Sequence, residues 1–179
     1  MRVFISIEPS EHVKSKIFHE FETLQNKNLF KGKFVEKQNL HLTLKFLGEI
    51  SEEKLEEIIK KLNEIKFQKF NCEVGKTGFF DNEKYIRIIW VELACDKLKE
   101  LQKQISEKIP EIHSDLKEFN SHITTARVKS VINKERLIED IKKIHLKDLN
   151  FEVNEFLLMK SELTELGPIY RVIEKFKLV

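Results

Sequence analysis

The sequence predicts an α+β protein of two halves, each carrying a mainly antiparallel sheet, with the two sheets facing a central cleft and the helices outside. Three observations predict it. Strand-like and helix-like runs follow in the order β-α-β-β-α-β-β-α-β-α-β-β, with apolar residues switching between periods of two and about 3.6. A His-x-Thr triplet lies in a strand-like run of each half, "HLT" from His41 and "HIT" from His122. No low-complexity linker divides the chain, so residues 1–179 read as one bilobal, pseudo-symmetric domain made by an old duplication.

"RVFISIE" alternates Val3, Ile5 and Ile7 against its other residues and reads as an opening strand. A helix follows near Pro9, with Val13, Ile17, Phe18, Phe21 and Leu24 at helical spacing. "KFVE" is a short strand, "KQN" a turn, and the His41 strand closes at Gly48. Ser51 opens a second helix that carries Leu55, Ile58, Ile59 and Leu62, with Glu52 and Glu53 suited to its first turn. "FNCEVGKTGFF" and "YIRIIWVEL" are strands joined by the turn-prone "DNEK". "ACDKLKELQKQISEKI" is a third amphipathic helix, stopped by Pro110. After it come the His122 strand "FNSHITTARVK" and a short helix, "NKERLIEDIKKI". Two last strands, "FEVNEFLLMKSEL" and "YRVIEKFKLV", join through the turn signal "ELGP".

Composition narrows the function classes. The chain is 41% hydrophobic and 35% charged, a globular profile with a heavily charged surface. It lacks the run of roughly 18 apolar residues that crosses a bilayer, and its first residues are too polar for a signal peptide. The expectation is a cytoplasmic protein, not at a membrane. The net charge of +2 tolerates an anionic substrate but is far weaker than the footprint of a dedicated nucleic-acid binder. Cys72 and Cys95 have no metal-site spacing and read as free, packed thiols. GxSxG, GxxxxGK[ST] and GxGxxG motifs are all missing.

The two triplets carry the chemistry. In a strand, residues i and i+2 share a face, so His41 lies with Thr43, and His122 with Thr124. Lys45 continues the first face by the same parity and is expected at the cleft rim. A lone strand histidine is ordinarily a surface or satisfied core residue. A chain with six histidines, however, should contain only about 0.1 chance copies of His-apolar-Thr, and here there are two, one per half. Facing one cleft, two imidazoles can take a proton from water and give one to a leaving oxygen near neutral pH. The two hydroxyls can hold a charged ester in line. That combination suits cleavage of a phosphodiester without a metal or other cofactor.

"HLTLKFLGEI" resembles the first signature of the two-histidine (2H) phosphoesterases, in the branch of RNA 2′,3′-cyclic phosphodiesterases, also called 2′-5′ RNA ligase-like. "RVFISIEPSEHV", "YIRIIWVEL" and "SELTELGPIYRVIEKFKL" resemble the same branch, so the likeness spans nearly the whole chain. The second motif departs from the family pattern, with Ser121 where proline is common and Thr125 where an aliphatic residue is common. The resemblance implies a bilobal fold and cofactor-free hydrolysis of an RNA 2′,3′-cyclic phosphate end to a 2′-phosphomonoester. It further implies ATP-independent 2′-5′ ligation by the reverse reaction. By position, His41 becomes the proton donor to the departing 3′ oxygen, His122 the acceptor from water, and Thr43, Thr124 and Arg127 the phosphate-binding residues. The implied partner is RNA with a cyclic phosphate end, tRNA fragments among the candidates, met by a monomer. A non-catalytic RNA- or nucleotide-binding module stays open beside this reading, as does action on another cyclic phosphate or a 2′-5′ oligonucleotide.

Arg127 poses a geometric question. It lies five residues after His122, and simple alternation aims it away from the cleft unless the strand ends or bulges near Ala126. The remaining candidates read as structural. His12 and His19 belong on a solvated helix face, and His113 and His145 near turns without metal-ligand spacing. Trp90 is expected in the core. Phe79 and Phe80 are read as packing in preference to stacking a base.

Overall fold

Three of the helices begin where a side chain caps them, whereas the one that follows Cys95 starts without such a bond. In the computed structural model, which describes residues 1–82, 84–112, 119–146, 148–165 and 167–179, Ser10, Ser51 and Asn133 accept hydrogen bonds from Val13 N, Lys54 N and Arg136 N. The elements are β1 (Arg2–Ile7), α1 (Glu11–Gln25), β2 (Phe30–Phe34), β3 (Leu42–Glu49), α2 (Glu52–Asn63), β4 (Phe70–Asn82) and β5 (Tyr85–Ala94). They continue with α3 (Asp96–Lys108), β6 (His122–Val131), α4 (Lys134–Lys143), β7 (Asn150–Val153), β8 (Glu155–Thr164) and β9 (Gly167–Lys177).

The α+β class and the antiparallel pairing agree with the sequence. Two details do not. "FEVNEFLLMKSEL" was expected as one strand; it breaks at Asn154, and β7 pairs with β4 while β8 pairs with β1 and β9. The short second strand begins at Phe30, ahead of "KFVE". His113 lies outside the described residues.

The strands run in the hydrogen-bonded order β7-β4-β5-β6-β3-β1-β8-β9, with β2 beside the far end of β6. This order is a palindrome in role. From the centre outwards, β3-β1-β8-β9 in one half corresponds to β6-β5-β4-β7 in the other, and each His strand is innermost. The two expected sheets are therefore the halves of one sheet, joined where Leu42 of β3 pairs with Ile123 of β6.

Helices cover one face. Val13, Ile17, Phe21 and Leu24 of α1 are buried with Leu98, Leu101 and Ile105 of α3 and Leu137 and Ile141 of α4 against Ile5, Ile7, Leu42, Ile89, Val91 and Ile123. Each such side chain contributes about 1.5–3 kcal/mol on burial. The opposite face, called the cleft face below, carries the residues of interest. Cys72 and Cys95 are free thiols, and burial pushes Cys72 up to about 12. No helix among the described residues is long and apolar enough to cross a membrane.

Candidate active site

Leu42 and Ile123 are both fully buried on the helix side, so their chain neighbours point to the cleft face. The pairing is antiparallel. Continued one residue each way, it sets His41 level with Thr124 and Thr43 level with His122. All four side chains are half-buried.

Both imidazoles are held in the same way. His41 Nδ1 lies 2.7 Å from Asn39 O and His122 Nδ1 2.8 Å from Asn120 O. A carbonyl only accepts, so each Nδ1 carries the proton and each Nε2 is left for chemistry. His41 Nε2 is 3.1 Å from Thr43 Oγ1, which donates to it when the ring is neutral. Burial lowers the pKa of both rings below the ordinary value. The two carbonyls work against that shift, and Arg127 adds to it at both rings. Glu8 favours the charged form of His41, and Lys14 opposes it. Lys14 is buried on α1, with its Nζ 2.9 Å from Glu8 Oε2.

Two matching bulges decide what else reaches this face. Against β1, Ser6 pairs with Thr43 and Ile5 with Lys45, which leaves Leu44 as an extra residue. Against β5, Trp90 pairs with Thr124 and Ile89 with Ala126, which leaves Thr125 as the extra. Each bulge follows directly on a motif threonine and reverses the parity beyond it. Arg127 is thereby turned to the cleft face, and its influence on His41, His122 and Tyr170 agrees with that placement. The bulge sits one residue before the position at which it was expected. Thr125 also explains its departure from the family pattern, because its buried hydroxyl donates to Ile89 O at 3.1 Å.

The first bulge overturns the expectation for Lys45. It is 4% exposed on the helix side, with Nζ 3.4 Å from Ser106 Oγ of α3. Phe46 takes the cleft position instead and is 53% exposed. Phe46 is thus the counterpart of Arg127 in the other half, each five residues after its histidine.

Aromatic rings flank both histidines. Phe4 and Tyr170 lie 5.0 and 5.1 Å from the His41 ring, and Phe46 lies 6.3 Å from Phe4. Phe80 meets the His122 ring edge-on at 5.0 Å, with Trp90 at 6.4 Å. Trp90 is therefore on the cleft face and not in the core as expected. Ile89, Val91 and Leu93 fill the core side of β5, which leaves Trp90 on the opposite side beside Glu92. Phe79 packs on the core, while Phe80, read as packing, walls the site. The β8–β9 hairpin supplies Tyr170, and its tip is tied down by Asn39 Nδ2 donating to Pro168 O at 3.2 Å.

Phe46 was expected on the packed face with Leu42 and Leu44, while Phe4, Glu8 and Tyr170 were not singled out from the sequence. Only Phe46 had a usable signal, its shared offset with Arg127. His12, His19 and His145 are exposed. Among the described residues, no three His, Cys, Asp or Glu side chains gather as metal ligands would.

The profile of the family described as LigT like phosphoesterase matches residues 7–90 and 92–170. An RNA 2′,3′-cyclic phosphodiesterase of Methanocaldococcus jannaschii is 38% identical over 178 residues, covering 98% of this chain and 100% of that protein. One of Aquifex aeolicus is 37% identical over 155 residues, covering 82% of each chain. Among solved structures, the Thermus thermophilus protein TT0787 superposes with a TM-score of 0.84 at 27% identity, over 99% of this chain and 97% of that one. Escherichia coli LigT in its apo form gives 0.81 at 22% identity, over 99% and 96%, a likeness of fold.

Proposed function

The chain belongs to the LigT-like phosphoesterase family, and on that premise we propose that it is an RNA 2′,3′-cyclic phosphodiesterase working through His41 and His122 without a metal. One observation carries the reading. Two His-x-Thr triplets meet antiparallel across Leu42 and Ile123, with each Nδ1 tied to a carbonyl and each Nε2 left for a substrate between them.

In this mechanism the cyclic phosphate sits between the triplets. Thr43 and Thr124 donate to its non-bridging oxygens, and the Arg127 guanidinium offsets their charge. His122 Nε2 takes a proton from water as the water oxygen bonds to phosphorus. His41 Nε2–H gives its proton to O3′ as the P–O3′ bond breaks, which leaves a 2′-phosphate. Glu8 supports this order, since its carboxylate favours the protonated His41 that a donor must be. Proton exchange with solvent then resets the pair. Run backwards with a 5′-hydroxyl in place of water, the same groups join RNA by a 2′-5′ bond. Phe46 and Tyr170, both beside Phe4, offer a face for the terminal base, and Lys33, opposite Arg127 on β2, would add a positive charge for the RNA backbone.

The finer reading is a cytoplasmic monomer, bilobal over residues 1–179, that acts on tRNA fragments among other RNA ends. Charged Arg171, Glu174, Lys175 and Lys177 along the outer strand β9 disfavour pairing of two chains at that edge.

The test is incubation of the protein in EDTA with a short RNA ending in a 2′,3′-cyclic phosphate, beside His41→Ala and His122→Ala. Conversion to a 2′-phosphate by wild type alone is the expected result, with each variant slowed by about 10²–10⁴-fold. A 3′-phosphate product reverses the leaving oxygen. Tight RNA binding without turnover makes the protein a binding module.

A further inference from the structure

The start of α3 differs from the other helix starts. Ser10, Ser51 and Asn133 each accept a capping hydrogen bond, but Cys95 stands at the N-cap of α3 and makes none. Cysteine is not among the residues favoured at that position. Its Sγ is turned back towards β4 instead, 3.5 Å from Asn71 O. The residue after Asn71 is Cys72, the one other cysteine in the chain.

The register of β4 and β5 brings the two together. Glu73 pairs with Ala94 and Val74 with Leu93, so the next antiparallel step sets Cys72 opposite Cys95. Both side chains belong to the helix side, since Cys72 shares parity with buried Val74 and Cys95 with buried Leu93. Hydrogen bonding fixes the kind of pair. Val74 N donates to Leu149 O, towards β7, and Leu93 N donates to Ser121 O, towards β6, so these two residues do not bond each other. Pair types alternate along an antiparallel ladder, which makes Cys72 and Cys95 a non-hydrogen-bonded pair as well. Such pairs hold their Cα atoms about 4.5 Å apart, inside the ~4.4–6.8 Å that a disulfide spans. The thiols act on each other: burial pushes Cys72 up to about 12, and the nearby Cys95 thiol adds to the rise. Exposure separates them, because Cys72 has no exposed surface and Cys95 is half-buried.

We propose that Cys95 and Cys72 are a reversible thiol–disulfide pair, in which Cys95 meets a hydroperoxide and Cys72 resolves the product. With hydrogen peroxide, the Cys95 sulfur attacks one oxygen and the O–O bond breaks. The hydroxide released takes the proton that the thiol gives up, and Cys95 is left as a sulfenic acid. The Cys72 sulfur then bonds to the Cys95 sulfur as the S–O bond breaks, and the Cys72 proton leaves with the hydroxyl as water. Two thiols are oxidised and one peroxide is reduced to two waters. A dithiol reductant reverses the change. The bond closes the β4–β5 hairpin at its end nearest α3, on the face opposite Phe80 and Trp90. It therefore stabilises the His122 half without entering the cleft, and it stands whether or not the phosphodiesterase reading holds.

The experiment treats the reduced native protein with hydrogen peroxide, unfolds it in an alkylating agent and reads the product by mass spectrometry. The expected product is a monomer that has lost two hydrogens, takes no alkyl group and yields a peptide linking Cys72 to Cys95. Dithiothreitol should restore both alkylation sites. The oxidised protein should melt roughly 5–10 °C above the reduced one, a rise that Cys72→Ala does not show. In that variant Cys95 should instead accumulate as a sulfenic acid that dimedone traps. Oxidation of Cys95 to a sulfinic acid with Cys72 still open to alkylation overturns the proposal, as does a disulfide that joins two chains or a protein left unoxidised. An oxidised wild type that melts no higher than the reduced form overturns the stabilising role.

Discussion

Leu42 and Ile123 pair across the junction of β3 and β6, and every cleft-facing residue of the two motifs takes its position from them. Both are fully buried, so the pair is at once a core contact and the reference point of the site. Ile123→Ala should cost about 2–5 kcal/mol in denaturant unfolding. It should also slow turnover in the fraction that stays folded, because the two histidines lose their common register. Unchanged stability would mean that the halves do not depend on this contact.

Glu8 distinguishes the two histidines. Its carboxylate favours charged His41 and does not figure among the influences on His122. Glu8→Gln should therefore lower the pKa of His41 alone. A donor must hold its proton, and activity is lost as pH rises through its pKa. The alkaline limb of the kcat/KM profile should move to lower pH while the acid limb stays. Movement of the acid limb instead would make His41 the acceptor.

Arg127 acts on both rings in the same sense, its positive charge disfavouring each imidazolium. Removing it with Arg127→Gln should raise both pKa values, so both limbs of the profile move to higher pH. The lost phosphate contact should reduce kcat/KM by about 10–100-fold. A profile that keeps its position would place the guanidinium away from the cleft.

Lys45 tests the first bulge. Buried against α3, its ammonium is held below the ordinary lysine range by desolvation. Lys45→Met should leave RNA affinity and its salt dependence unchanged. Stability should stay within about 1 kcal/mol of wild type or rise. Weaker binding with a shallower salt slope would return Lys45 to the cleft rim.

The two thiols should differ in reactivity. Burial pushes Cys72 up to about 12, and it has no exposed surface, whereas Cys95 is half-buried at the start of α3. Timed alkylation of the native protein at pH 8, read by mass spectrometry, should label Cys95 first. Cys72 should react only as the protein unfolds. Equal rates would show β4 opening locally.

Much of this was legible because it is local. The helices at Val13, Leu55, Leu98 and Leu137 follow from spacing within one or two turns, and His41 with Thr43 from the two-residue period of a strand. The bulges were not legible in the same way. A bulge is defined by the partner strand, and nothing in "HLTLKF" says that β1 spends one fewer residue on the same length. Lys45 and Phe46 consequently exchange faces against the sequence arithmetic. Arg127 is the instructive contrast, because its odd offset demanded a bulge and one was found.

By itself, the sequence determined the α+β class, the two His-x-Thr strands and the residue types available for acid–base chemistry, since each depends on neighbours close along the chain. Only the tertiary structure decided that β7 and β8 belong to opposite halves, that Trp90, Phe80, Phe46 and Tyr170 wall the cleft, and that Glu8 influences one histidine and not the other. Those outcomes depend on which strands lie side by side and in what register. Register is chosen by the whole core at once, because a shift of one residue would turn every buried side chain to the wrong face.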